Sequence, residues 1–134
     1  MIARSMVVPL LLCAACASNK EGLEADALAE AEELQVLFQD HVKDPDRAAQ
    51  LQAVQAKVQQ TIAAFFKDFG EANGEWLRLN SSYDTDPAAF SSLQGLTAAS
   101  RGRRAEDLIR LAMEARKIAT AEEWAAMNED RRKR

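Results

Sequence analysis

An apolar stripe at helical spacing runs from Leu51 to Leu79 with no proline inside it. Its members are Leu51, Val54, Val58, Ile62, Phe65, Phe69, Trp76 and Leu79. Residues three and four apart share one face of a helix, so the pattern predicts a single long amphipathic helix. Leu51, Val58, Phe65, Ala72 and Leu79 are also spaced by sevens. Gly70 and Gly74 soften the helix, each costing about 1 kcal/mol relative to alanine. From residue 45 to 79 it would be about 50 Å long at the helical rise. Such a helix is marginal alone in water, so its stripe must face other stripes or a partner. No stretch of useful length alternates apolar and polar residues as a half-buried strand does. The expected fold is therefore all-α, a small helical bundle or extended helical hairpin of three principal helices plus a short C-terminal helix.

The breaks between helices are written in turn and cap residues. A first helix, with Ala27, Ala31, Leu34 and Phe38 in its stripe and Leu28 and Leu37 widening it, should run from Leu23 to about Val42. It stops at Asp44-Pro45, because the residue before a proline is pushed out of the helical region. The same dipeptide opens the long helix: Asp44 caps free N–H groups, and Pro45 suits the first helical position. Asn80 to Asp86 is dense in turn residues, and Asp86-Pro87 repeats the cap-and-proline start. The third helix carries Phe90, Leu93 and Leu96. Its stripe thins from Ala98 to Gly102 and returns at Leu108, Leu111, Ala112, Ala115 and Ile118. Thr120-Ala-Glu-Glu123 has the form of a capping box and starts a short fourth helix bearing Trp124 and Met127. Residues 131–134 read as a basic tail outside the helical domain of residues 23–130.

The N-terminus reads as an address. Arg4 is followed by the short apolar run Met6-Val-Val-Pro-Leu-Leu-Leu12 and then Cys13-Ala-Ala-Cys16. A positive start, a short apolar run and a small-residue stop make a secretory signal, and the run is too short to span a bilayer as a helix. Leu12 to Cys16 resembles the lipobox of bacterial lipoproteins, with Ala14 and Ala15 in the small positions. Cys13 stands where that motif usually has leucine. The resemblance implies that residues 1–15 are a signal peptide, that Cys16 is acylated, and that residues 16–22 form a lipidated tether. Several acyl chains hold firmly where one binds weakly, so the membrane becomes a partner through the N-terminal lipid. By the same analogy Ala17, rather than aspartate, favours the outer membrane facing the periplasm. The alternative is an ordinary cleaved signal with two incidental cysteines. Under the lipoprotein reading Cys13 leaves and Cys16 is blocked, so the domain has neither free thiol nor disulfide, and thiol chemistry is closed to it.

Charge narrows the partners. Removing residues 1–15 takes away one base and no acid, which moves the formal charge from −4 to −5. An acidic, secreted chain is a poor match for nucleic acid. The charge is also uneven. Lys20 to Asp46 holds nine acids against two lysines, and Arg101 to Arg134 holds ten bases against seven acids. Two solvated faces that attract each other in an antiparallel bundle account for this, with a ligand surface as the alternative.

Catalysis finds little material. His41 is the sole histidine and falls at the end of the first helix, where a cation interacts well with the dipole. A sharper reading joins Asp40, His41 and Asp44, with Asp46, as ligands of a divalent metal ion, since one imidazole with carboxylates can hold such an ion. The Glu-x-x-His pairing of bundle metal sites is absent. Serines 81, 82, 91, 92 and 100 have no histidine nearby and suit turns and caps. The expectation is no catalytic residue, no enzyme and no cofactor, with the metal ion as the alternative. Binding has better support. Ile62, Phe65, Phe66 and Phe69 make a wider apolar face than one neighbouring helix needs. They form either a core shared by two helices or an exposed groove or dimer face. Arg101, Arg103 and Arg104 sit where the third helix loses its stripe. They either face solvent, pair with the acidic first helix, or meet headgroups or anionic polymers.

Residues 83–134 resemble the periplasmic LTxxQ family of the Spy and CpxP type. The likeness lies in the Asp84-Thr-Asp86 break, the long helix with mid-helix arginines, and Ile118-Ala-Thr-Ala-Glu-Glu-Trp124. The family motif falls on Ala119 to Glu123, where only Thr120 matches outright. The resemblance implies a small helical envelope protein acting as a chaperone, stress-response modulator or metal sensor. The expectation is thus a non-catalytic, membrane-anchored periplasmic binding module that meets a protein partner or a second copy of itself. Its rivals are a metal-responsive envelope sensor and a passive structural lipoprotein.

Overall fold

A computed structural model describes residues 20–134, with side chains from residue 22 onward. The signal segment and Cys16 lie outside the described residues. Four helices fill the described span: α1 (Lys20–His41), α2 (Pro45–Asn80), α3 (Pro87–Ile118) and α4 (Ala121–Lys133). There is no strand among the described residues, so the fold is all-α.

The cap residues act as the sequence indicates. Asp44 has extended backbone, and its carboxylate accepts from the Arg47 N–H at 2.8 Å, with Pro45 opening α2. Asp86 does the same for α3, accepting from the Ala88 N–H at 2.9 Å. In the Thr120 capping box the Glu123 N–H donates to the threonine hydroxyl at 3.2 Å. The Thr120 N–H in turn donates to the glutamate at 2.9 Å. Three features differ from expectation. α1 is already helical at Lys20, where the described residues begin, ahead of Leu23. α4 runs through Lys133, so most of the expected basic tail is helical. α3 does not falter where its stripe thins, because Asp68 on α2 holds Ser100 and Arg104 across that stretch.

α2 is the spine, 36 residues and about 54 Å long. Both neighbours run antiparallel to it, and polar contacts fix the registers. Gln55 Nε2 donates to the Ala31 carbonyl of α1. Lys57 meets Glu114 at 3.1 Å, and Asp68 meets Arg104 at 3.1 Å, both on α3. These registers divide α2 into three zones. Near its start all four helices meet, around Leu37, Phe38, Val42, Leu51, Val54, Leu111, Ala115, Ala119 and Met127. In the middle, Ile62, Phe65 and Phe66 pack on Ala31, with Leu23, Ala27 and Leu28 alongside. Beyond Phe69, among the described residues, only α3 accompanies α2, and the two form a hairpin arm closed by the turn after Asn80.

The acidic α1 and the basic end of α4 lie together. Arg131 stands 3.9 Å from Glu30, and Arg134 stands 3.4 Å from Asp40. Contacts of this kind at the surface contribute little each, and here they orient α4 along α1. The larger energy is apolar: Leu51 is fully buried, and burying such a side chain contributes about 1.5–3 kcal/mol.

Candidate binding surface on the helical arm

On α2, Ile62 and Phe66 pack on α1, and steps of three and four continue their line through half-buried Phe69 and exposed Asn73 to Trp76 and Leu77. Where α1 is present they are covered, with Ile62 at 8% and Phe66 at 4% exposure. Phe65 meets Phe66 edge to face, centroids 5.1 Å apart, and stacks on Phe69 at 6.4 Å. α1 begins opposite this aromatic group. One helical stretch further on, the same face is open: Trp76 is 47% and Leu77 55% exposed. Leu96 on α3 (70%) and Tyr83 in the turn, which is fully exposed, add to the apolar surface of the arm. Among the described residues, α1 reaches α2 only as far as the level of Phe65 and Phe66, and Trp76 and Leu77 beyond it are exposed.

The base of the arm is polar and fixed. Asp68 Oδ2 accepts from the Ser100 hydroxyl at 2.7 Å and from Arg104 Nη2 at 3.1 Å. The Ser100 hydrogen bond, then the Arg104 guanidinium, hold the Asp68 carboxyl below its ordinary range. Phe65, Asp68, Phe69, Thr97, Ser100 and Arg101 line a small cavity here, at the point where α1 starts. Arg101 Nε is buried and meets no protein acceptor.

The sequence-level site residues therefore separate. Of the two readings of Ile62, Phe65 and Phe66, the structure has the shared core: they are buried against α1. Phe69 is half-buried at the edge of the covered zone. Arg104 pairs with Asp68 of α2 rather than with the acidic α1, Arg101 lines the cavity, and Arg103 is exposed. Asp40, His41 and Asp44, the grouping read as metal ligands, each meet a different protein partner. His41 Nε2 lies 3.2 Å from Asp130 of α4, Asp40 faces Arg134, and Asp44 caps α2. No group of three or more metal-ligating side chains occurs among the described residues. Trp76, Leu77, Leu96 and Tyr83 were not singled out by the sequence as a surface. The signal that could have found them is the run of the α2 stripe on to Trp76, past the last apolar positions of the first helix that pair with it.

No helix among the described residues is long and apolar enough to cross a membrane. Compared with protein-family models, curated proteins and solved structures, the chain matches none.

Proposed function

We propose that this protein is a non-catalytic helical module, anchored to a bacterial envelope membrane through Cys16 and facing the periplasm, which works by binding at its arm. The observation that carries the reading is the α1-facing stripe of α2, which buries Ile62 and Phe66 and then continues uncovered through Trp76 and Leu77. Contiguous exposed apolar residues of this kind mark interaction sites. The lipobox-like run Leu12 to Cys16 supplies the anchor, and the arm lies at the end of the bundle where the chain enters α1. A chaperone-like or stress-modulating role is what the family resemblance implies. One alternative is a metal-responsive envelope sensor using Asp40, His41 and Asp44, and a passive structural lipoprotein is the other.

The test is expression of the full chain in a two-membrane bacterium beside a Cys16→Ser variant. The expected result is an acylated N-terminal cysteine by mass spectrometry and membrane association that Cys16→Ser abolishes. An unmodified start, or a wild-type protein that stays with the soluble fraction, overturns the anchor. Binding of an environment-sensitive hydrophobic dye should fall in Trp76→Ser/Leu77→Ser, and dye binding unchanged by that pair overturns the arm as the binding surface.

A further inference from the structure

We infer that the open face of the arm docks on the membrane interface beside the anchor, with Trp76 and Leu77, and Tyr83 at the tip, seated among lipid headgroups. The inference rests on the lipoprotein reading of Cys16 and specifies the partner of the arm. It follows from where the chain outside the described residues ends. Three residues lie between Cys16 and Lys20, so even at full extension Lys20 stays within about 14 Å of the Cys16 backbone. α1 and α2 are antiparallel, and Leu23 packs beside Phe65 and Phe66. From Phe69 to Asn80 the arm continues about 18 Å past that level in the direction of the anchor. The tether is therefore shorter than the arm.

Sterics then limit the posture. If the molecule were inverted, the 22 residues of α1, about 33 Å, would drive the four-helix end through the bilayer. That end carries ion pairs on its surface, among them Arg131 with Glu30 and Arg134 with Asp40. The remaining postures point the arm at the interface or lay it flat along it. The side chains presented there suit that place, since tryptophan and tyrosine combine an apolar body with a polar tip and concentrate at the membrane boundary. The charge of the arm sets the lipid class. Glu71, Glu75, Asp84 and Asp86 outnumber Arg78, which is already held by Glu75 at 2.6 Å. Anionic lipids would be repelled, so the contact is an apolar one with neutral headgroups.

The experiment uses the full acylated protein reconstituted in phosphatidylcholine vesicles, with Cys16 acylation first verified by mass spectrometry. Tryptophan emission of the wild type is compared with that of Trp76→Phe, which keeps Trp124, so the difference reports Trp76 alone. The expected result is a blue-shifted Trp76 component that is quenched by brominated phosphatidylcholine and shielded from aqueous acrylamide. If Cys16 is acylated but Trp76 is quenched by acrylamide and not by brominated lipid, the docking is overturned and the anchor stands. If Trp76 is shielded from both quenchers, a second copy or a bound protein covers the stripe, and the membrane assignment is again overturned. An unmodified Cys16 overturns the anchor, and the inference falls with it.

Discussion

Gln55 shows how a single residue sets the register of this bundle. It is 2% exposed among apolar neighbours and spends one amide hydrogen on the Ala31 carbonyl of α1. Its Oε1 is buried and meets no protein donor. A half-satisfied buried amide costs about 1–3 kcal/mol for the orphaned atom, while the bond it makes returns about 1 kcal/mol. Gln55→Leu should therefore raise stability by about 1 kcal/mol, seen as a higher urea midpoint with unchanged slope. Leu51→Ala, at the fully buried centre of the four-helix zone, should lower it by about 2–5 kcal/mol through the cavity it leaves. Asp68 acts where α2 and α3 diverge into the arm. Its folded carboxyl is held below the ordinary range, chiefly by the Ser100 hydroxyl and then by Arg104. A depressed folded value means that its stabilising contribution is present above the ordinary aspartate range. That contribution is lost as pH falls through the folded value. Asp68→Asn should flatten that acid-side loss in pH-dependent denaturation curves, and a variant as steep as wild type would contradict the assignment.

At the scale of elements the helix ends carry their own stability. The Thr120 box satisfies two backbone groups at the start of α4, and Arg47 of α2 reaches across to the same Glu123 carboxylate. Thr120→Ala should cost about 1 kcal/mol, measured as a drop in urea midpoint. The Glu123 carboxyl lies below its ordinary value, held first by the Arg47 hydrogen bond and then by the Thr120 backbone. Its contribution is thus complete above the ordinary glutamate value of 4.5 and disappears as pH falls through the lowered one. Glu123→Gln should remove that acid-limb slope in thermal melts. These ends were legible in the sequence because aspartate before proline, and threonine three before glutamate, act locally. The acidic α1 and basic α4 were legible as a pair for a similar reason: charge blocks that lie apart in sequence have few other places to go in an antiparallel bundle. The surface was harder to read. Ile62, Phe65 and Phe66 look the same in sequence whether α1 covers them or not, and coverage depends on where α1 starts against the α2 register. Gln55 fixes that register, and a glutamine inside an apolar stripe gives no hint that it is buried. Likewise Asp68, Ser100 and Arg104 meet only once the α2–α3 register exists, so no spacing announces them.

For the molecule as a whole, the three zones along α2 define a gradient of stability. The four-helix end buries Leu51, Val54, Leu111, Ala115 and Met127 around one point, so opening it exposes the main core and amounts to global unfolding. The arm beyond Phe69 has two helices, an open stripe and glycines at 74, 95 and 102 whose missing side chains would meet nothing. Glycine in a helix interior costs backbone entropy, and here no close approach repays it. Hydrogen exchange on the full chain should therefore show α2 and α3 each protected unevenly along their length. Amides of residues 51–66 and 108–115 should exchange only through global unfolding. Those of residues 70–80 and 87–98 should exchange through smaller, local openings. Leu51→Ala should lower protection in the first group by the full loss of global stability, while Trp76→Ser should leave that group unchanged. Lipid supplies the contrast. A surface that covers Trp76 and Leu77 buries the side of the arm that α1 does not reach, so protection of residues 70–80 should rise in phosphatidylcholine vesicles and that of residues 51–66 should not. Uniform protection along α2 in solution would mean that the arm is as stable as the bundle, and that the uncovered stripe costs the fold nothing.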